Sequence, residues 1–313
     1  MDGLAKIKRI SIPVEKRVIC VSDIHGELDL FKKLLDKVNF CNEDMLILLG
    51  DLYLKGNQCY DTLKFCIDIS KNSNVHILRG NCDWGEDDYI NDTDMQWLME
   101  LPHIIEAEEF VFVHSGLTSK NLAEQKAETC MKYDDFMNKA TVFDKWIVAG
   151  HWPTTNYCVN IPCNNPIVNE QKRIIAIDGG NVLKADGQLN AFIIQGNCFS
   201  HMYMDNLPII KINKAQKESG GSLSITWLDR FIEIVKEDGD LCYVKHIHTG
   251  KILVVPKSQI WTDSDGNTCV CDLATDYYLP CHIGETVSLV EAFPNRIFAK
   301  MNGTCGWIMV EDV

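Results

Sequence analysis

The stretch RVICVSDIHG, residues 17 to 26, decides the fold. Its first five residues, through Val21, are an apolar run long enough for a strand and too short for a helix. It then breaks into Ser22-Asp23-Ile24-His25-Gly26, a polar turn closed by glycine. Runs of the same kind recur at residues 45–49, 75–78, 110–113, 145–149 and 173–177. These end in Gly50-Asp51, Arg79-Gly80-Asn81, His114-Ser115-Gly116, Gly150-His151 and Asp178-Gly179-Gly180. Between the first two runs, Leu28, Phe31, Leu34, Leu35 and Val38 keep helical spacing. Between the second and third, Leu63, Phe65, Cys66, Ile67 and Ile69 continue that pattern. Strand, helix, strand predicts an α/β layer domain, and ligands bind such sheets where the strands end.

The chain has 313 residues, 46% hydrophobic and 24% charged, which suits globular domains rather than disorder. A net charge of −14 opposes charge-driven binding to nucleic acid or to an anionic membrane. An acidic protein that binds phosphate needs a local source of positive charge, such as metal ions. The opening MDGLAKIKRI lacks the apolar core of a signal peptide, so the 14 cysteines are expected to be reduced and the protein cytoplasmic. Cys269 and Cys271 do not make a zinc-knuckle spacing.

The expected organisation is a catalytic domain over residues 1–212, a polar linker over 213–222 and an all-β region over 223–313. Residues 181–195 read as a closing hairpin with its turn at 184–188. The last part, with Gly284, the turn Met301-Asn302-Gly303 and Gly306-Trp307-Ile308, resembles one or two small SH3-like barrels. Such a region suits peptide recognition or self-association.

The strand-end residues are metal-binding types. In Asp23-Ile24-His25 the two donors are two residues apart, so on an extended chain both leave one face and grip one ion. Asp51 has two oxygens with which to bridge a pair of cations. Asn81, His114 and His151 supply neutral donors to a second ion. A mixed nitrogen and oxygen set favours manganese, iron or zinc over calcium, with manganese expected.

The ordered motifs Asp23-x-His25-Gly26, Gly50-Asp51 with Gly56, Leu78-Arg79-Gly80-Asn81, Val113-His114-Ser115-Gly116-Leu117 and Gly150-His151 resemble the calcineurin-like metallophosphoesterases. Within that family they are most similar to the branch of serine/threonine protein phosphatases and diadenosine tetraphosphate hydrolases. The resemblance covers roughly residues 15–195. It implies a four-layer sandwich, two β-sheets face to face with helices outside. It also implies that Asp23, His25 and Asp51 hold one metal while Asp51, Asn81, His114 and His151 hold the other. The implied activity is phosphate-monoester hydrolysis by a metal-bridging hydroxide, with Asp51, Asn81, Arg79 and His114 in the catalytic set. Arg79, Asn81, Lys55 and His151 are the expected phosphate-binding groups.

The chain departs from that branch at two places. A histidine that protonates the leaving group, and an acidic residue that supports it, are replaced by Cys82 and Leu54. Without a positioned acid, aryl phosphates, phosphotyrosine and phosphoanhydrides are favoured over phosphoserine. Dinucleoside polyphosphate hydrolysis or phosphodiester cleavage is the alternative, and a degenerate binding module is the rival of another class. Cys82 reads as packing, Asp178 as a support for the ligands, and Asp83, Trp84 and Glu86-Asp87-Asp88 as a solvated turn lining the entrance. His76, His103, His201, His246, His248 and His282 match no motif and read as structural.

Overall fold

The structure is a computed structural model that describes residues 3–83, 90–270 and 274–310. Trp84, the acidic stretch from Glu86 and Cys271 therefore lie outside the described residues. The chain divides into two compact units. The first comprises Met1–Thr154, Asn165–Val182 and Gly187–Asp205. The second comprises Thr155–Asn164, Leu183–Asp186 and Asn206–Val313. The polar run at 213–222 lies inside the second unit, where the Gln216 side-chain amide donates to the carbonyls of Leu279 and Trp307 at 2.8 Å each.

Among the described residues the first unit holds eleven strands: β1 Ile7–Arg9, β2 Arg17–Val21, β3 Met45–Leu48, β4 Val75–Ile77, β5 Ile104–Glu106, β6 Phe110–Val113, β7 Trp146–Ala149, β8 Ile167–Asn169, β9 Ile174–Ala176, β10 Leu189–Gln195 and β11 Cys198–Met204. Its helices are α1 Leu28–Lys37, α2 Cys59–Ile69, α3 Asp92–Glu100, α4 Ala127–Met131 and α5 Phe136–Lys139. One sheet runs β11-β10-β2-β3-β4, and the other runs β1-β5-β6-β7-β9-β8.

Alternation along the strands builds two cores. In β2, Ile19 and Val21 join the cluster that contains Phe31 and Leu34 of α1 and Leu63 and Cys66 of α2. Val18 and Cys20 point the other way and pack with Phe112 of β6, Val148 of β7 and Ile175 of β9. β3 divides in the same manner, with Leu46 and Leu48 toward the helices and Met45 and Ile47 toward the other sheet. A strand buried on both faces carries no polar position, which is why these runs are continuously apolar. This is the expected sandwich, helices on one sheet and that sheet on the other.

The closing hairpin lies one turn later than the sequence suggested. β10 pairs with β11 through Gln195 and Cys198, so the turn is Gly196-Asn197, with Gly196 at φ +58°. A two-residue loop needs the left-handed region, and Gly-Asn supplies it, whereas Leu183–Asp186 leaves this unit altogether. β10 then pairs antiparallel with β2 and buries Ala191 and Ile193 beside α1.

The sheets of the second unit are antiparallel, and among its described residues are two larger apolar clusters and a smaller one around Phe298, Cys305 and Trp307. Of the larger two, one gathers Ile212, Leu279, Val287, Ile297 and Ile308, and the other Ile232, Val244, Leu253, Val255 and Val270. Among the described residues, no helix is long and apolar enough to cross a membrane.

Candidate metal centre

The loops after β2, β3, β6 and β7 converge because the backbone ties them together. Asp23 N–H donates to the Gly50 carbonyl at 3.1 Å, His25 N–H to the Asp51 carbonyl at 2.9 Å, and Gly150 N–H to the His114 carbonyl at 2.8 Å. The predicted ligands themselves bear the strain. Asp23, His25, Asp51 and His151 all have positive φ, between 51° and 66°. Such backbone costs on the order of 1 kcal/mol per non-glycine residue and persists where function over-determines it. Asp23 and His25 thus share a site through left-handed turns, not through the extended chain expected from their spacing. The adjacent glycines serve close approach: a Cβ on Gly150 would overlap Ser22 Oγ and Asp23, and one on Gly80 would overlap Asp51.

The side chains sort into two groups around Asp51. Its Oδ2 lies 3.7 Å from His25 Nε2, which is also 3.7 Å from Asp23 Oδ1. Its Oδ1 lies 3.4 Å from His114 Nε2, which is 3.1 Å from Asn81 Oδ1. One carboxylate therefore offers a different oxygen to each group. His25 and His114 turn their Nδ1 atoms to the carbonyls of Leu54 and Leu49, at 3.1 and 2.8 Å, which leaves Nε2 of each facing the centre. His151 is reversed. Its Nε2 meets Asp134 Oδ1 at 2.8 Å, so Nδ1 is the atom left for a ligand. Its ring lies 5.3 Å from that of His114, between centroids.

A cation fits the orphaned atoms. Asp23 Oδ2 accepts from His151 N–H at 2.9 Å and from Ser22 Oγ, whereas Asp23 Oδ1 and His25 Nε2 are buried with no hydrogen-bond partner. Leaving two such atoms facing each other is costly unless a third group binds both. Two triads of donors cluster here, Asp23-Asp51-His114 and His25-Asp51-Cys82.

The electrostatics agree. Burial works against an ionised Asp51, yet the imidazoles of His114 and His25 outweigh it and hold its carboxyl below the usual carboxylate range. Burial likewise opposes a charged His114, but Asp51, Asp23 and Asp83 together raise it above the ordinary histidine value. The negative charge gathered here is what a divalent cation would balance.

The remaining sequence-predicted residues divide. Lys55 is exposed, at φ +92°, beside Cys82 and His25. Arg79 is only 2% exposed, and its Nε donates to the Asp83 carbonyl at 3.3 Å. Asp178 accepts Gly180 N–H at 2.7 Å, and its carbonyl accepts Thr154 N–H at 2.9 Å, anchoring the loop that carries His151.

Asp83 corrects the expectation of a solvated entrance. It is fully buried, and its carboxylate accepts the N–H groups of Asp51, Leu52 and Gly80, each at 2.8 Å. Burial, then repulsion from Asp51, pushes it up to about 6. Its side chain folds back onto the N–H three residues earlier and onto the neighbouring strand-end loop, which spacing alone does not announce. Asp134 has no sequence signal either, since only the tertiary fold brings it to His151.

Comparison with known proteins places these features. A model described as calcineurin-like phosphoesterase matches residues 16–175. The chain is 29% identical over 117 residues to a symmetrical bis(5'-nucleosyl)-tetraphosphatase of Vibrio parahaemolyticus, covering 31% of this chain and 44% of that relative. It therefore spans less than half the length of that relative. A crystal structure provisionally described as a diadenosine tetraphosphatase is 21% identical, covers 64% of this chain and 99% of its own, and superposes with a TM-score of 0.50. A protein serine/threonine phosphatase of Saccharomyces cerevisiae is 11% identical, covering 61% of this chain and 77% of its own, with a TM-score of 0.46. With its family model spanning the motifs from Asp23 to His151 and its sandwich shared with a solved relative, the chain belongs to the calcineurin-like phosphoesterases.

Proposed function

We propose that the chain hydrolyses phosphate monoesters whose leaving groups depart without a proton from the protein, aryl phosphates and phosphotyrosine foremost, with two divalent cations in its site. The observation that carries this reading is Asp51, which directs Oδ2 to His25 and Oδ1 to His114. Asp23, His25 and Asp51 would hold one cation, and Asp51, Asn81, His114 through Nε2 and His151 through Nδ1 the other. When bound, the cations supply charge neutralisation for the phosphoryl oxygens and a water activated near neutral pH.

The protein's part is positioning. Asp83 fixes the backbone of Asp51 and Gly80, and Asp134 fixes the ring of His151. Lys55, exposed beside Cys82, is placed to receive a phosphate oxygen as a point charge. Where the related phosphatases carry an acid for the leaving group, this chain has Cys82, whose thiol burial pushes up to about 12, and the apolar Leu54. Neither group is a positioned acid, so a departing alkoxide receives little help from the protein.

A second reading, hydrolysis of dinucleoside polyphosphates, is favoured by the tetraphosphatase relative and by the same leaving-group argument, since a nucleotide phosphate also departs unaided. Rates on p-nitrophenyl phosphate, phosphotyrosine peptide, phosphoserine peptide and diadenosine tetraphosphate, measured with manganese, zinc and ferrous iron, separate the two. Phosphotyrosine well above phosphoserine supports the first. Diadenosine tetraphosphate above both supports the second, and equal rates on the two peptides defeat the leaving-group argument.

A further inference from the structure

We propose, building on the two-metal reading above, that Cys82 Sγ is a further protein ligand of the cation held by His25 and Asp51, biasing that position toward zinc or ferrous iron and away from manganese. The donor atoms of His25, Asp51 and Cys82 all lie within 4.8 Å of one another, so a small contraction brings all three within bonding distance of one ion. Among the described residues, Cys82 is the one cysteine grouped with metal-donor side chains.

The thiol is held in place by its surroundings. Cys82 N–H donates to Asp51 Oδ1 at 2.7 Å, so the residue is tied to the carboxylate at the heart of the site. Asn81 Nδ2 donates to Cys82 Sγ at 3.2 Å, orienting the sulfur from the other side. The turn that carries both residues is clamped by the Asp83 carboxylate on Gly80 N–H. On binding, the S–H bond is replaced by a sulfur–metal bond and the proton leaves to solvent. A thiolate among imidazole and carboxylate donors selects softer cations, which is the chemical content of the bias.

Two measurements test this. The protein, loaded with two equivalents of cobalt(II) and desalted, is expected to keep both ions and to show a sulfur-to-cobalt charge-transfer band in the near ultraviolet. Cys82→Ser is expected to keep both ions, lose the band, and lower the preference for zinc over manganese by roughly 10-fold or more. X-ray absorption on the unmutated zinc-loaded protein needs no variant to fold, and is expected to show a sulfur neighbour at about 2.3 Å. A zinc shell of nitrogen and oxygen alone, or a cobalt band that survives in Cys82→Ser, overturns the assignment of Cys82 while the two-metal reading stands. Failure to retain any cobalt, zinc or manganese brings down both.

Discussion

Two buried clusters of polar side chains, one in each unit, look alike in composition and differ in how they are completed. In the second unit, Asp186 is buried with its Oδ2 accepting from Asn164 Nδ2 at 2.8 Å and from the Cys305 thiol at 3.1 Å. Its carbonyl accepts from the buried Lys300 ammonium at 2.8 Å. The chain supplies both signs of charge and the donors between them. In the first unit, Asp23 and Asp51 face histidines across gaps of 3.4 to 3.7 Å, with Asp23 Oδ1 and His25 Nε2 unpartnered and four residues in left-handed backbone. Burial of charge is common to both, so burial does not mark function. What marks it is a deficit that the protein leaves for something else to fill, together with the backbone strain that holds the deficit open.

The comparison is sharpest at Asp51. Asp51→Asn removes the shared charge without changing shape, and we expect kcat on p-nitrophenyl phosphate to fall on the order of 10³-fold or more. The same variant should bind fewer metal ions, as read by elemental analysis after desalting. Activity and metal content near those of the unmutated protein would mean that Asp51 is not the bridge.

Lys300→Met tests the opposite cluster. It removes a buried ammonium that donates to the Asp186 carbonyl, so unfolding in denaturant should show a loss of about 2 kcal/mol. Activity per folded molecule should be unchanged. A fall in kcat without a fall in stability would erase the distinction between the clusters.

A smaller effect is expected at Asp134, which is 45% exposed on its side chain and touches His151 from outside the centre. Asp134→Asn should weaken one of the two metal-binding steps by roughly 10- to 100-fold and leave the other alone. Isothermal titration with zinc separates the steps. Equal weakening of both, or neither, would show that Asp134 does not position His151.

The smallest effect concerns His76 and His103, which are not among the candidate metal ligands. Burial, reinforced by Lys8, lowers His76 to about 4, and burial with Arg79 and Lys6 lowers His103 to about 4. Both are neutral when folded; His103 Nδ1 accepts the Lys6 N–H at 2.9 Å. The unfolded chain binds these protons more readily, from the ordinary 6.5 downward. Stability is therefore full above pH 6.5 and is lost as pH falls toward 4, by about 1 kcal/mol for each histidine after allowing for solvent screening. His103→Gln should flatten part of that slope in denaturation curves at pH 7 and pH 5, and an unchanged slope would assign it elsewhere.

Much of the first unit was legible from local chemistry. The apolar runs at 17–21 and 110–113 match β2 and β6 residue for residue, because strands buried on both faces admit no polar position. The helical spacing from Leu28 likewise gave α1. Short edge strands such as β1 and β8 were missed, since three half-exposed residues carry no periodic signal. The hairpin was misplaced because Lys184-Ala185-Asp186-Gly187-Gln188 and Gly196-Asn197 both look like turns, and only pairing of β10 with β2 and β11 chooses between them.

By itself the sequence determined which residues are candidates for the centre, since donors must follow strands and glycines must flank them wherever loops pack closely. Tertiary structure alone decided the rest: which oxygen of Asp51 faces which histidine, which ring nitrogen of His151 is left free, that Arg79 and Asp83 turn inward, and that Cys82 joins the donors. Spacing along a chain records the order of the donors, whereas their directions depend on backbone angles and on neighbours distant in sequence, and those exist only once the chain has folded.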